Sequence, residues 1–169
     1  MCAMAKVELK GMEAYLSELR KVGEATGPVC EAAVYAGAKV VADAIKQKIE
    51  RLDRVTDAEA LAAYEESRPV KISVSQKIGL KESFGVTPIR NKYGVYSAKV
   101  GFDGYNSVKS KRWPKGQPNQ LIARACESGS TAMIKQPFVR TALKSVQQAA
   151  EFAMEQAADK KLKELTGGE

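Results

Sequence analysis

Residues 28–52 read PVCEAAVYAGAKVVADAIKQKIERL, and the spacing of their apolar positions decides what class of fold the chain can adopt. Val34, Ala38, Val41, Ile45, Ile49 and Leu52 recur at steps of 4, 3, 4, 4 and 3, the period of a helix with one buried face. Pro28 suits a first helical position, so a helix of roughly 37 Å is predicted from Pro28 to about Leu52. Its first half is rich in small residues (Ala32, Ala33, Ala36, Gly37, Ala38), which let a second element approach closely. Core packing is the default use of such residues, and a helix–helix contact between subunits would use the same ones.

Working outward from that helix, residues 5–10 alternate apolar and polar and predict a short strand. A helix follows from Gly11 to about Gly23, with Met12, Tyr15, Leu16, Leu19 and Val22 on one face, and Thr26-Gly27-Pro28 reads as a stop and restart. On the other side, Thr56 followed three residues later by Glu59 has capping-box spacing and opens a short helix to about Glu66, ended by Pro69. Residues 70–80 mix Ser, Lys and Gln with scattered apolar residues and predict an extended connection, mobile until it meets a partner.

Phe84–Ile89 and Val95–Phe102 are strand candidates, the second rich in β-branched and aromatic residues, and Asn91-Lys92-Tyr93-Gly94 between them supplies turn chemistry. Residues 103–119 predict one long loop. Asn119 is placed to cap a short helix from Gln120 to about Glu127, closed by Gly129. Pro137 opens a last long helix to about Leu165, with Phe138, Ala142, Val146, Ala149, Ala153 and Ala157 along its apolar stripe. The expected fold class is α+β, with long N- and C-terminal helices packed on a small antiparallel β-sheet and a long basic loop. The 169 residues fit a single domain. Within it, strand and helices fill 5–66, the extended connection 67–82, the hairpin and basic loop 83–119, and the short and long helices 120–169.

Composition removes most enzyme classes. There is no histidine, so Ser-His-Asp and Cys-His catalysis and His-ligated metals fall away. Cys2, Cys30 and Cys126 are far apart and form no CxxC pair, which gives neither a zinc site nor a disulfide framework; Cys30 and Cys126 are expected as reduced packing residues. No stretch approaches the roughly 18 apolar residues of a membrane span. The first residues run into charge without the apolar core of a signal peptide, so a cytoplasmic protein is expected.

Charge is unevenly distributed. Residues 1–67 carry 9 basic and 12 acidic side chains, residues 68–115 carry 11 and 2, and residues 116–169 carry 7 and 6. The middle third is a basic block, densest in Ser107-Val-Lys-Ser-Lys-Arg-Trp-Pro-Lys115. Such a block is either a solvated face or a contact with something anionic, nucleic acid or an acidic protein surface. Its lysines outnumber its arginines, which favours loose electrostatics over base readout.

No phosphate-binding glycine loop or metal-ligand cluster is present. Gly101-Phe102-Asp103-Gly104 matches the bare GxxG of KH domains, but that motif joins two helices and this one follows a strand. Asp103 and Glu127 are the acid/base pair one can imagine, and both residue types more often hydrogen-bond loop backbone or cap helices. Neither an enzyme nor a cofactor is expected.

One ordered set of blocks is more specific: Lys99-Val-Gly-Phe-Asp-Gly-Tyr-Asn106, Pro114-Lys-Gly-Gln-Pro-Asn-Gln-Leu-Ile-Ala-Arg124, Glu127-Ser-Gly-Ser-Thr131 and Lys135-Gln-Pro-Phe-Val-Arg-Thr-Ala142. Together they resemble the tail-component family of long, non-contractile-tailed phages and prophages, the head–tail joining or tail-completion proteins of the neck. Lys6-Val-Glu-Leu-Lys-Gly11, Ser67-Arg-Pro-Val70 and Gly79-Leu-Lys-Glu-Ser83 are similar to the family's opening strand and the lead-in to its first sheet strand. The resemblance runs from about Ala5 to about Lys163. Departures are small: Gly129-Ser130-Thr131 stands where members often have Gly-Thr-Ser, and Thr141 where they have a second proline.

The resemblance implies a virion structural protein without catalysis, assembled in the host cytoplasm. It would form a homo-oligomeric ring of sixfold or twelvefold symmetry between the portal-side connector or stopper and the tail terminator or tail tube. Double-stranded DNA would pass through it with at most transient, non-specific contact. A ring subunit needs a rigid helical body and loops that order against neighbours, and residues 70–80 and 103–119 are the candidates for those loops. The candidate assembly surface comprises Phe102, Tyr105, Asn106, Lys109, Lys111, Arg112, Trp113, Gln117, Pro118, Asn119, Glu127, Pro137 and Phe138. Tyr105, Trp113 and Phe138 are its aromatic anchors. Phe138 is read first as core, and Trp113, set among cations, first as interface. A non-enzymatic nucleic-acid-binding protein using residues 68–115 is the alternative.

Overall fold

Helix α1 runs unbroken from Met12 to Glu50 and takes Pro28 into its interior. The structure, a computed structural model, describes residues 12–166, with side-chain surroundings from 23 to 165; the strand expected at 5–10 lies outside the described residues. The predicted stop at Thr26-Gly27-Pro28 is therefore corrected. An interior proline costs about 3 kcal/mol in a helix, but the turn that precedes it is held. Ala25 is buried, and the Tyr96 hydroxyl lies against Gly27.

After α1 come β1 (Arg54–Val55), α2 (Asp57–Glu65) and β2 (Ile72–Ser73), with β1 and β2 paired in parallel. Thr56 caps α2 as its spacing predicts, its hydroxyl accepting from the Glu59 N–H at 3.2 Å. The extended connection expected over 70–80 is instead mostly helix α3 (Val74–Ser83). Ser73 and Gln76 form a reciprocal capping box there, each side chain bonded to the other's backbone N–H. Ile72 and Leu80 on either side are fully buried, so this segment is part of the core.

A bent antiparallel ribbon follows: β3 (Phe84–Val86), β4 (Arg90–Lys92), β5 (Val95–Ser97) and β6 (Val100–Phe102). β4 pairs with β5 next to the turn, and β3 pairs with β6 next to the core. Of the two predicted strands, Phe84–Ile89 ends at Val86, short of Pro88, which has no N–H to give the ladder, and Val95–Phe102 divides into β5 and β6; β4 takes in Asn91 and Lys92 of the predicted turn. Tyr93 and Gly94 both have positive φ (56° and 80°), which closes a tight two-residue turn. Tyr96 of β5 lays the ribbon against α1.

Residues 103–118 carry no helix or strand beyond a single bridge between Tyr105 and Pro118. Helix α4 spans Asn119–Ser128 and ends at Gly129, as the sequence predicts. Helix α5 spans Val139–Thr166 and packs along α1, with Ala150 and Met154 against Gly37. Ala150, not the expected Ala149, is its buried residue at that level. The core gathers Ile45 and Ile49 of α1 with Ile72, Leu80, Phe84, Ile122, Cys126, Phe138 and Ala142. The architecture is α+β: two long helices against short, mostly antiparallel strand pairs.

Candidate functional site

The irregular segment after β6 is pinned at both ends by buried asparagines. Asn106 Oδ1 accepts the N–H groups of Val108 (2.9 Å) and Gln117 (3.2 Å), and the Asn106 N–H donates to the Gln117 carbonyl. Asn119 Nδ2 donates to the Asp103 carbonyl at 3.0 Å, and Gln76 Nε2 to Gln117 Oε1 at 2.8 Å, which ties the segment to α3. Gly116, at φ 108°, passes so close to Asn106 that an added Cβ would stand 1.9 Å from its carbonyl oxygen. Asn106 and Asn119 are thus internal anchors and not surface contacts. Asn119 makes no capping bond either; Pro118 holds the N-cap position of α4.

Between α3 and residues 103–107 lies an open cleft of about 670 Å³. Glu82, Ser83, Asp103, Tyr105, Asn106 and Asn119 are among its walls. Gly79 forms part of its floor, where a Cβ would stand 2.7 Å from Asn119 Oδ1. Ser83 Oγ, Asn106 Nδ2 and Asn119 Oδ1 are buried and have no hydrogen-bond partner among the described residues. All three belong to residues lining this cleft.

The acid/base pair imagined from sequence does not form a catalytic site. Asp103 Oδ1 accepts from the Gly104 N–H at 2.7 Å. Glu127, near the end of α4, accepts the N–H groups of Phe138 (2.8 Å), Val139 (2.9 Å) and Arg140 (3.1 Å), and it pairs with Arg140 Nε at 2.8 Å. Burial works to raise its carboxyl pKa, but the bonds from Arg140 and the backbone N–H groups of Val139, Arg140 and Phe138 prevail and hold it below the ordinary carboxylate value. It acts as a cap for α5 supplied from another helix. Beside it, burial above all, and then the Glu127 charge, pushes the Cys126 thiol up to about 11, as befits an inert core residue.

Phe138 is 2% exposed and stacks edge-on against Phe102, which in turn packs on Phe84. Its place as a surface anchor is corrected: it is core. Phe102 is half-buried against that core. Pro137 is exposed, and Gln117 and Pro118 are half-buried. Tyr105 is 59% exposed at the cleft. Trp113 is half-buried with the Arg112 guanidinium 5.5 Å from its ring.

The basic block divides sharply. Arg68, Lys71 and Lys81 pair with Glu66, Asp53 and Glu50, and Lys77 donates to the Glu50 and Leu52 carbonyls. Arg90, Lys92, Lys99, Lys109, Lys111, Arg112 and Lys115 make no ion pair among the described residues. The free charge is therefore confined to the ribbon and the irregular segment.

No family model, curated protein or solved structure matches the chain. Among the described residues there is no group of three or more potential metal ligands, and no helix is long and apolar enough to cross a membrane. Sequence reasoning missed Gly79, Glu82 and Ser83 as cleft residues. The available signal was that Glu82 and Asp103 are the only acids between residues 68 and 115.

Proposed function

We propose that the chain is a structural subunit of a phage neck, forming a ring that joins the DNA-filled head to the tail. The observation that carries this reading is that the four blocks resembling the neck family close on one another in space. Residues 99–106 and 114–124 meet through Asn106 with Gln117 and through Asn119 with Asp103. Residues 127–131 and 135–142 meet through Glu127 with Phe138 and through Gly129 with Lys135. They make one connected unit, the first pair joined to the second by the Phe102 and Phe138 rings 5.9 Å apart. Two long packed helices supply the rigid body of a ring subunit, and exposed Tyr105 with the unpaired cations supplies contact chemistry. On this reading the ring has sixfold or twelvefold symmetry and sits between the portal-side connector or stopper and the tail terminator or tail tube. It assembles in the host cytoplasm, ends in the virion, and needs neither catalysis nor a cofactor.

Electron microscopy of induced lysates from a host whose prophage lacks this gene tests the reading. DNA-filled heads accumulating beside separate, complete tails are expected. Normal joined particles would remove the protein from the neck.

A second reading rests on the seven unpaired cations of residues 90–115 and on Tyr93, which is 95% exposed at the ribbon's tip. A basic two-stranded ribbon suits non-specific contact with a nucleic-acid backbone. Duplex binding that persists near physiological salt would favour it, and its absence would favour the neck.

A further inference from the structure

The cleft beside α3 has a chemical character opposite to its surroundings. The only two acids of the middle third, Glu82 and Asp103, both line it, in a stretch otherwise holding 11 cations. A pair of acids alone says little. Here, however, the three buried side-chain polar atoms that lack partners among the described residues, Ser83 Oγ, Asn106 Nδ2 and Asn119 Oδ1, belong to residues of the same walls. Asn106 and Asn119 are 5% and 2% exposed, and each uses one end of its amide internally while the other end is taken from water without compensation. Buried polar groups are nearly always satisfied, and each exception calls for an explanation. With the carboxylates, the inventory is mostly acceptors with one amide donor. Its complement is a donor-rich side chain accompanied by a carbonyl, which is a lysine or arginine within a peptide.

The chain itself carries that complement, unused. Lys109, Lys111, Arg112 and Lys115 are exposed and make no ion pair among the described residues, with Glu82 and Asp103 included. We propose that the cleft of one copy receives a lysine or arginine side chain from residues 109–115 of a second copy. The guanidinium or ammonium group lies between Glu82 and Asp103 beside the Tyr105 ring. The peptide carbonyl next to it accepts from Asn106 Nδ2. Gly79 lets Asn106 and Asn119 pack directly on α3, since a Cβ there would stand 2.5 Å from Asn106 Cβ and 2.7 Å from Asn119 Oδ1. The proposal deepens the ring reading by naming a contact between subunits, and it rests on that reading for the choice of a second copy.

The test is sedimentation of the purified full chain over a range of salt concentrations, for the wild type and two charge-reversed variants. One is E82K/D103K and the other K109E/K111E/R112E. The wild type is expected to self-associate at low ionic strength and to lose that association steeply with salt. Each variant alone should associate about tenfold or more weakly with unchanged helical circular dichroism, and an equal mixture of the two should recover association. A milder E82Q variant, neutral at an exposed position, should weaken association even if E82K/D103K does not fold.

A wild type that stays monomeric at low salt would overturn the proposal. So would an E82Q variant that associates like wild type, or association that vanishes after nuclease treatment, which would assign the basic segment to nucleic acid. Failure here together with separated heads and tails in the deletion lysate would leave the neck reading standing without this contact. Recovery in the mixture together with normal particles would do the reverse.

Discussion

The Glu127 carboxylate accepts the Phe138 backbone N–H at 2.8 Å, and this bond helps fasten the end of α4 to the start of α5. The same carboxylate takes the N–H groups of Val139 and Arg140, which would otherwise be unsatisfied donors at a helix start. Because the anchored residue is Phe138, the cap also sets the position of a core aromatic.

Glu127→Gln should therefore cost about 1–2 kcal/mol of stability at neutral pH, and Glu127→Ala more. The carboxyl is held below its ordinary value, so its contribution is present above the unfolded carboxylate pKa of about 4.3 and is lost as pH falls through the lower folded value. Urea unfolding at a series of pH values checks both parts. The Gln variant should show a shallower loss of stability on the acid side than the wild type, and parallel curves would remove Glu127 from that role.

Legibility from sequence followed the kind of interaction involved. The helical period of residues 34–52 is local, and Ile45, Ile49 and Leu52 are buried as it predicts. The turn at Tyr93-Gly94 and the helix stop at Gly129 likewise follow from single residues. Failures came where tertiary contacts override a local signal. Pro28 reads as a helix start, yet burial of Ala25 and the contact of Tyr96 with Gly27 carry α1 through it. The cleft was hidden because Gly79, Glu82, Asp103 and Asn119 are brought together only by folding. Asn106 looked like a loop surface residue because nothing in its neighbourhood announces the carbonyl of Gln117.

The capping box at Ser73 was legible and missed, since Ser73-Val-Ser-Gln76 has the required spacing. Ser73 is 2% exposed and its hydroxyl accepts the Gln76 N–H. Ser73→Ala should destabilise the fold by about 1 kcal/mol, the usual worth of an N-cap, and Ser73→Asp should be no better, because it buries a carboxylate beside Asp57, to which the Ser73 hydroxyl is bonded. Thermal or chemical denaturation of the pair measures the difference. Equal stability for Ala and wild type would mean that the cap adds nothing to the contacts that Leu80, Gln76 and Lys77 already give α3.

Gly116 offers a sharper test of the irregular segment. Its φ of 108° disfavours any side chain, and the Asn106 carbonyl occupies the space a Cβ needs. Gly116→Ala should cost about 2 kcal/mol or more, because either the backbone or the Asn106 anchor must move. Gly85→Ala is the control, since nothing lies within 4 Å of its Cβ position, and should stay within about 0.5 kcal/mol of wild type. If the two substitutions were equally tolerated, residues 103–118 would not be held in the arrangement described.

Trp113 separates folding from assembly. The turn that carries it is closed by backbone bonds between Ser110 and Trp113 at 3.0 and 3.2 Å and by the Ser110 hydroxyl, none of which uses the indole. The ring itself is half-buried and partnered by Arg112. Removing it should leave the turn closed, so Trp113→Ala should change unfolding stability by no more than about 1 kcal/mol. A half-buried tryptophan bordered by cations that make no ion pair is the residue type that dominates contact energies when a partner covers it. On the proposed neck function, complementation of the gene deletion with the Ala variant should then yield few joined particles from a protein that is folded and abundant. Joined particles at the wild-type yield would show that the indole serves only its own loop.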